Sequence, residues 1–135
     1  MRIAGHNVIA IIAAGAVFWV LGALWFGLLF TDAWLAGSGL TEADFEGDSV
    51  AWMAGGVVIA FVTAIGLSVA LRWGGLPDLM GALKRTLWLW LGFGLTGAGY
   101  ALAYEPLHSV TLLAVMGSYL LVGWLAAAAI IAALK

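Results

Sequence analysis

Several residue types are scarce or absent in this sequence. It contains no cysteine, which excludes disulfide bonds, thiol nucleophiles and thiolate metal sites together. It has only five basic residues and a net charge of −2, so it has no basic surface of the kind that binds nucleic acid. Disordered chains are rich in charge and poor in aromatic residues, whereas only 9% of these residues are charged and eight are tryptophan.

Hydrophobic residues are abundant instead. They make up 65% of the chain, against roughly 45–50% in soluble proteins, and the mean hydropathy is +1.13. In water, a chain of this length would expose much of that apolar surface with few charges to dilute it. The composition therefore indicates a membrane protein.

The apolar residues fall into four runs. A helix needs about 20 apolar residues to cross a hydrocarbon core of roughly 30 Å. The runs cover residues 7–30, 50–71, 79–104 and 107–134. Pro77 and Asp78 are typical of a helix start before the third run, and Pro106 is well placed as the first residue of the fourth. We therefore predict an all-α integral membrane protein, a four-transmembrane-helix bundle forming one domain over residues 1–135.

The charges predict an orientation. If the four runs cross the membrane, all the basic residues fall on one side: Arg2, Arg72, Lys84, Arg85 and Lys135. The opposite side carries six acids: Asp32, Glu42, Asp44, Glu46, Asp48 and Glu105. Cytoplasmic segments retain Lys and Arg. We expect both termini to be cytoplasmic, a short acidic extracytoplasmic loop between the first two helices, and a multi-pass location in the inner membrane.

Small residues recur at helical spacing in the second and third runs. Within lipid, helices associate by close packing through small side chains. The candidate packing residues are Gly56, Ala60, Ala64 and Ser68 in the second run and Gly94, Ala98, Gly97 and Ala101 in the third. Packing inside one chain is the favoured interpretation, and a seam between copies is the alternative. A homo-oligomer is expected on general grounds of symmetry.

Large aromatic residues form a second group of candidates. Tryptophans near the ends of the runs are typical of interfacial anchors. Trp19, Trp25 and Trp124 lie deeper, where an indole N–H needs a partner unless it lines a groove. The candidates for a groove or partner contact are Trp19, Trp25, Trp34, Tyr119 and Trp124. Ordinary packing or contact with lipid is the alternative for each.

Catalytic and metal-binding patterns are missing. No ionisable residue lies in the uncharged core of any run, which argues against a proton-coupled carrier. His6 and His108 should lie at opposite faces and cannot share a metal, so we expect no metal and no cofactor. Hydroxyl residues could line a solute path, although such side chains more often bond to their own helix. The Gly92–Gly97 match to a dinucleotide motif lies within a helix and predicts only a packing surface.

The first loop has its own local pattern. Thr41 followed by Asp44 resembles a capping box with an acid in the third position, and predicts a short helix near residues 42–46. Asp44, Glu46 and Asp48 lack the spacing of a calcium loop, so a solvated acidic loop is favoured.

The same stretch resembles a known family. Gly22-Ala23-Leu24-Trp25-Phe26, Phe30, Trp34-Leu35 and Gly39-Leu40-Thr41-Glu42-Ala43-Asp44 are similar to the signature of an uncharacterised bacterial membrane family, domain of unknown function 1761. Tyr104-Glu105-Pro106-Leu107 and Gly117-Ser118-Tyr119 resemble later elements of that family, with a shorter third turn and an altered Gly-Tyr element. The resemblance implies a small four-span protein. It carries no known activity, substrate or catalytic residue.

Three functional hypotheses remain at this point. The first is a non-enzymatic, self-associating bundle that binds a lipid or a protein partner through its acidic loop or a tryptophan-lined groove. The second is a small channel or carrier for neutral or weakly polar solutes. The third is a membrane enzyme acting on lipids near His108 and Glu105. A dry, filled interior would favour the first hypothesis over the second.

Overall fold

A computed structural model of the protein describes residues 1–45, 49–105 and 108–134. A short hairpin of strands β1 (Arg2–Ile3) and β2 (His6–Asn7) precedes six α-helices. The helices are α1 (Val8–Leu24), α2 (Thr31–Ser38), α3 (Ser49–Arg72), α4 (Leu79–Leu89), α5 (Thr96–Tyr104) and α6 (Val110–Ala133). Two π-helical segments, Trp25–Leu29 and Trp90–Leu95, continue α1 and join α4 to α5. A 3₁₀ turn covers Glu42–Phe45.

Three helical stretches in the described chain are long and apolar enough to cross a membrane. They are Val8–Leu29, Val50–Arg72 and Val110–Ala133. Their hydrophobic residues are spread around the whole helix rather than along one stripe, which is typical of helices that face hydrocarbon. The protein is therefore helical and membrane-embedded.

The third predicted run is helical from Leu79 to Tyr104, with the predicted bounds, through α4, the second π-helical segment and α5. Asp78 caps α4, since its side chain accepts a hydrogen bond from the backbone N–H of Gly81. Lys84, Arg85 and several glycines lower the hydropathy of this run, and it is not among the three stretches named above.

One predicted boundary differs from the structure. The last helix begins at Val110 rather than near residue 107, because Ser109 is its N-cap and accepts a hydrogen bond from the N–H of Leu112 over 3.1 Å. The proposed first residue, Pro106, lies outside the described residues. The first predicted run agrees with the candidate span Val8–Leu29, in which α1 ends at Leu24 and the chain continues as π-helix to Leu29.

The helix ends meet in two groups, here called the basic end and the acidic end. At the basic end, which holds Arg2, Arg72, Lys84 and Arg85, the His6 ring bonds to Ser68 Oγ over 2.8 Å and the Asn7 amide donates to the carbonyl of Leu134. At the acidic end, which holds Asp32, Glu42, Asp44 and Glu105, Ser109 Oγ donates to the carbonyl of Gly37 over 2.9 Å. The start of α1 therefore lies beside the ends of α3 and α6. The predicted loop acids Glu46 and Asp48, and the basic Lys135, lie outside the described residues.

Arg85 connects two successive helices at the basic end. Its Nη1 donates to the carbonyls of Leu71, Trp73 and Gly75 over 2.9–3.0 Å. These carbonyls lie in the last turn of α3 and just after it, where the helix dipole favours a positive charge. Arg85 thereby ties α4 to the end of α3.

The core lies where α1, α3, α4 and α6 meet, and α1 packs along both α3 and α6. Its buried side chains are mostly small, so the helices approach closely: Ala14, Ala64, Leu67, Leu71, Ala82, Ala127, Ala128, Ile131 and Ala132. Glycines allow two of the closest contacts. A Cβ on Gly15 would lie 2.7 Å from the ring of Phe61, and one on Gly123 would overlap the ring of Phe18.

Candidate functional site

A row of aromatic rings runs from the middle of α1 to the start of α3. Neighbouring ring centroids are 4.9–6.2 Å apart, the range of favourable aromatic pairs. In order, the rings belong to Phe18, Tyr119, Phe26, Trp34, Phe45 and Trp52. The row joins α1, the first π-helical segment, α2, the 3₁₀ turn, α3 and α6. Two of the predicted contact residues, Trp34 and Tyr119, belong to it.

The outer part of this row walls an open cavity of about 790 Å³, here called groove A. Groove A is lined by Phe26, Trp34, Ala51, Trp52, Gly55, Gly56, Ile59 and Met116. Its volume lies within the roughly 300–1,000 Å³ of small-molecule sites, and every lining side chain is apolar apart from the two indole N–H groups. The sequence pattern singled out only Trp34 and Gly56 of these residues.

The glycine pair in α3 creates the space in groove A. A Cβ on Gly55 would meet no atom within 4 Å, and one on Gly56 would lie 3.8 Å from Nε1 of Trp19. Trp19, another predicted contact residue, therefore lies behind the groove rather than in its lining. A Gly-Gly pair one turn after an interfacial tryptophan is the signal in the sequence that could have located this groove.

Tyr119 holds the inner end of the aromatic row in place. Its ring stacks on Phe18 with centroids 4.9 Å apart and meets Phe26 edge-on at 5.0 Å. Its hydroxyl donates to the carbonyl of Phe18 over 3.2 Å. A Cβ on Gly22 would lie 2.8 Å from that hydroxyl, so the family-like Gly22 makes room for Tyr119. The ring that supports Phe26 is thus fixed by stacking and by a hydrogen bond.

Two deep tryptophans differ in their hydrogen bonding. Nε1 of Trp25 donates to the carbonyl of Val115 over 3.2 Å. Nε1 of Trp124 is buried and has no hydrogen-bond partner in the described chain. Trp124 instead lines a smaller apolar cavity of about 230 Å³ between α3 and the second π-helical segment, together with Thr63, Leu67, Leu89 and Phe93. The sequence predicted that a deep indole either bonds to a partner or lines a groove. Trp25 does the first and Trp124 does the second.

A third cavity, here called groove B, lies on another side of α6. Its volume is about 370 Å³. Groove B is lined by Trp90, Leu95, Val110, Leu113, Ala114, Gly117, Ser118 and Leu121. Nε1 of Trp90 donates to the carbonyl of Gly117 over 2.8 Å and fixes the indole against α6.

The predicted packing residues divide between buried and open positions. Ala60, Ala64 and Ser68 are buried in α3, and the hydroxyl of Ser68 bonds to His6. In the third run Gly94 is buried, and a Cβ there would lie 3.1 Å from Trp90 and 3.4 Å from Trp124. Ala98 and Ala101 are half-buried. Gly97 is exposed, and a Cβ added there would meet no atom of the described residues within 4 Å.

Most of the hydroxyls that were candidates for a solute path are bonded within the protein. Thr96 and Ser118 donate to their own helix carbonyls, Gly92 and Ala114, over 2.6 Å. Thr86, which is fully buried in α4, has no partner for its Oγ1 among the described residues. Apart from Thr86, the core of the described chain is packed mostly with small apolar side chains.

The histidines lie at opposite ends of the bundle, as predicted. His6 bonds to Ser68 at the basic end, and His108 pairs with Glu105 at the acidic end over 2.9 Å. No cluster of three or more His, Cys, Asp or Glu side chains suited to a metal occurs among residues 1–45, 49–105 and 108–134.

One half of the predicted capping box is present in the first loop. Both the backbone N–H and the hydroxyl of Thr41 donate to Asp44 Oδ2, over 2.7 and 2.8 Å. These two bonds, the backbone one first, hold the pKa of Asp44 below its usual range. The helical turn that follows is 3₁₀ and ends at Phe45, which it places in the aromatic row between Trp34 and Trp52.

Comparison with known proteins gives a family and no function. A family model described as a protein of unknown function (DUF1761) matches residues 9–132, nearly the whole chain. No curated protein and no solved structure matches the chain. The match extends well beyond the loop motif and includes both grooves.

Proposed function

We propose that this chain, which belongs to the DUF1761 family of proteins of unknown function, is a four-span membrane protein whose groove A holds the acyl chain of a lipid. Groove A is the observation that carries the proposal. It is a wide apolar cavity bordered by Phe26, Trp34 and Trp52, and it lies against α3, a helix long enough to cross a membrane.

The chemistry of groove A favours hydrocarbon over a polar ligand. An orienting site for a polar molecule needs placed donors and acceptors, whereas the only side-chain polar groups of this lining are the two indole N–H groups of Trp34 and Trp52. Exposed Val58 and Val62 continue the apolar surface of α3 beyond the cavity. The bilayer core contains no water to fill such a groove, so its neighbours there are acyl chains. Rigid aromatic walls offer a large contact area at low cost in conformational entropy.

The proposed arrangement in the membrane has four crossings with both termini in the cytoplasm. The run from Leu79 to Tyr104 is helical throughout and connects the two ends of the bundle, which supports its being the remaining crossing. The four described basic side chains gather at one end, and cytoplasmic segments retain such residues. This end would face the cytoplasm across the inner membrane. Groove A then opens in the outer half of the bilayer.

Self-association is part of the proposal. A Cβ on exposed Gly97 would meet no atom of the described residues within 4 Å, and close helix contacts in lipid form through such small residues. Exposed Phe93, four residues earlier in the second π-helical segment, adds apolar area nearby in the chain.

The role proposed is binding rather than catalysis or solute passage. His108 and Glu105, the residues that an enzymatic hypothesis would use, are bonded to each other. The bonded hydroxyls and the filled interior give less support to a path for polar solutes. We therefore propose a binding function alone.

Photolabelling tests this function. The protein is placed in vesicles of phosphatidylethanolamine and phosphatidylglycerol that contain a phospholipid with a diazirine on its acyl chain, and the labelled residues are mapped by mass spectrometry. Label should concentrate on the lining of groove A, including Ile59 and Met116. Gly55→Leu fills the open space in the groove and should reduce this label about tenfold, which corresponds to about 1.4 kcal/mol of binding.

The matched control is Ala54→Leu, which adds a similar side chain to the next residue of α3, an exposed position outside the lining. It should leave the labelling of groove A unchanged. Equal labelling of groove A in the two variants, or label spread evenly over all exposed apolar residues, would contradict the proposal.

A further inference from the structure

The chain contains the same short motif twice, and the structure is unusual at both places. Leu24-Trp25-Phe26-Gly27 and Leu89-Trp90-Leu91-Gly92 share the pattern Leu-Trp-x-Gly. In each copy a π-helical segment begins at the tryptophan. Since well under about 1% of residues in globular proteins are π-helical, two such segments starting at the same motif are unexpected by chance. They mark two equivalent halves of the chain.

The second part of each half also corresponds. Each π-helical segment is followed by an apolar helix of 24 residues, α3 in the first half and α6 in the second. Both of these helices are among the three candidate membrane spans. The halves differ in the segment between, which contains α2 and the 3₁₀ turn in the first half and α5 in the second.

Grooves A and B are made from the same positions of these two helices. Five lining residues of groove A lie on α3, and six of groove B lie on α6. Five of these six correspond to the five on α3 with one constant offset of 62 residues. The pairs are Ala51 and Leu113, Trp52 and Ala114, Gly55 and Gly117, Gly56 and Ser118, and Ile59 and Leu121. In both grooves a pair of small residues forms the floor: Gly55 and Gly56 in groove A, and Gly117 and Ser118 in groove B. A branched aliphatic residue, Ile59 or Leu121, follows one turn later. The π-helical segment of the same half supplies a wall, Phe26 in groove A and Trp90 with Leu95 in groove B.

The polar groups of groove B are already satisfied. The hydroxyl of Ser118 donates to the carbonyl of Ala114 over 2.6 Å, which turns it onto its own helix. The indole N–H of Trp90 is bonded to the carbonyl of Gly117. A ligand in groove B therefore meets a surface that is apolar in practice, like that of groove A.

Both copies of the motif are anchored on α6. Trp25 donates to the carbonyl of Val115, and Trp90 donates to that of Gly117. Groove A reaches α6 at Met116, whereas groove B uses the neighbouring face at Gly117 and Leu121. The two grooves thus lie on different sides of one membrane-length helix, at the same level along it.

We propose that groove B is a second acyl-chain site, equivalent to groove A by internal repetition, so that the protein holds lipid chains on both sides of α6. This inference rests on the function proposed for groove A. The occupant of groove B is hydrocarbon because the cavity borders a helix that spans the membrane, its lining offers no free polar group, and its counterpart has the same floor. Groove B is smaller and lacks the counterpart of Trp52, so it holds its chain less tightly than groove A.

The test uses the full-length protein in the same diazirine-lipid vesicles and compares label at Leu113 and Leu121 with label at Ile59. Both grooves should be labelled above the exposed residues outside them. Ala114→Trp places in groove B the residue that groove A has at the equivalent position. The added indole ring fills the space above Gly117 and Ser118, where the acyl chain would otherwise lie. Label at Leu121 should therefore fall about tenfold, and label at Ile59 should stay the same. Ala103→Trp, at an exposed position of α5 outside both linings, is the matched control and should change neither.

The possible results separate the two proposals. Label at groove A without enrichment at groove B would overturn the second site and leave the proposed function intact. Loss of enrichment at groove A as well would overturn both. In a parallel experiment a photoreactive amino acid replaces Leu121; adducts between two protein copies through this residue would show that groove B is an interface between copies, and would also overturn the second site. If Ala114→Trp fails to fold, Ser118→Leu fills the same floor and provides the same comparison.

Discussion

The ring of Phe18 lies in the notch that Gly123 leaves on the surface of α6. A Cβ on Gly123 would overlap Cδ2 and Cε2 of this ring, which is only 2% exposed. The same ring stacks on Tyr119, four residues earlier on α6. The approach of α1 to α6 therefore depends on the missing side chain at position 123, and so does the inner end of the aromatic row that supports groove A.

Gly123→Ala should destabilise the protein. The added methyl group must displace the Phe18 ring, and overpacking of this kind costs about 1–3 kcal/mol. The free energy of unfolding can be measured by titration with a denaturing detergent in mixed micelles. Gly97→Ala is the control, since a Cβ at Gly97 meets open space, and it should change stability by less than about 0.5 kcal/mol. Equal losses in the two variants would show that the notch is not needed.

Replacing a tryptophan by phenylalanine should cost more stability where the indole N–H is hydrogen-bonded than where it is not. Trp90 and Trp25 donate to carbonyls of α6, whereas Nε1 of Trp124 is buried without a partner. Interhelical hydrogen bonds in membranes contribute about 0.6 kcal/mol on average and up to about 1.7. Trp90→Phe, with its 2.8 Å bond, should therefore cost more than Trp124→Phe, which removes an unsatisfied donor. The same unfolding titration checks the order, and a larger loss for Trp124→Phe would contradict it.

Arg85→Met should loosen the turn between α3 and α4. The substitution removes the donor that bonds to the carbonyls of Leu71, Trp73 and Gly75. We expect a cost of about 1.5 kcal/mol, at the lower end for bonds to a charged group because two of the three are exposed. Hydrogen exchange of residues 71–76 should become faster. Lys84→Met removes a neighbouring exposed charge and should leave the exchange of this turn unchanged, so similar acceleration in both variants would assign the effect to net charge alone.

The 3₁₀ turn in the first loop should weaken in acid. The N–H and hydroxyl of Thr41 lower the pKa of Asp44 in the folded protein below its value in the unfolded chain. The carboxylate therefore stabilises the turn fully above the unfolded pKa, and this contribution is lost as the pH falls through the folded pKa. Carbon NMR of the Asp44 carboxyl group in micelles follows this titration.

Thr41→Val removes the hydroxyl donor and keeps the backbone donor, so the pKa of Asp44 should rise part of the way toward its ordinary value. Thr111→Val, at the start of α6, serves as the control and should not shift it. An unchanged Asp44 titration in Thr41→Val would show that the hydroxyl bond does not form in solution.

Local patterns in the sequence predicted several features because short-range chemistry determines them. The helix over Leu79–Tyr104, the hydrogen bond from the Thr41 N–H to Asp44 and the family resemblance are confirmed. The start of α6 was predicted too early. Pro106 and Ser109 are both residue types that favour a helix start, and the sequence does not show that Ser109 is the one that caps α6.

The candidate site could be predicted only in part. Trp34 and Tyr119 were identified from their type and position, but Phe26, Gly55 and Met116 were not, because groove A is formed by helices far apart in the sequence. Gly97 carried the same small-residue pattern as Gly94, yet only Gly94 is buried against tryptophan rings. A periodic stripe specifies a face of a helix, and the neighbours of that face depend on the arrangement of the whole bundle.

Composition and hydropathy determined by themselves that this protein is helical and membrane-embedded, because a chain with so few charges and such long apolar runs can bury its surface only in hydrocarbon. Which glycines make room for which rings, where the π-helical segments begin and how two cavities come to share α6 were decided only by the tertiary structure. Membrane helices are apolar on every side, so hydrophobic patterning does not say which side meets a neighbour. That choice depends on close packing and on hydrogen bonds between residues distant in the chain.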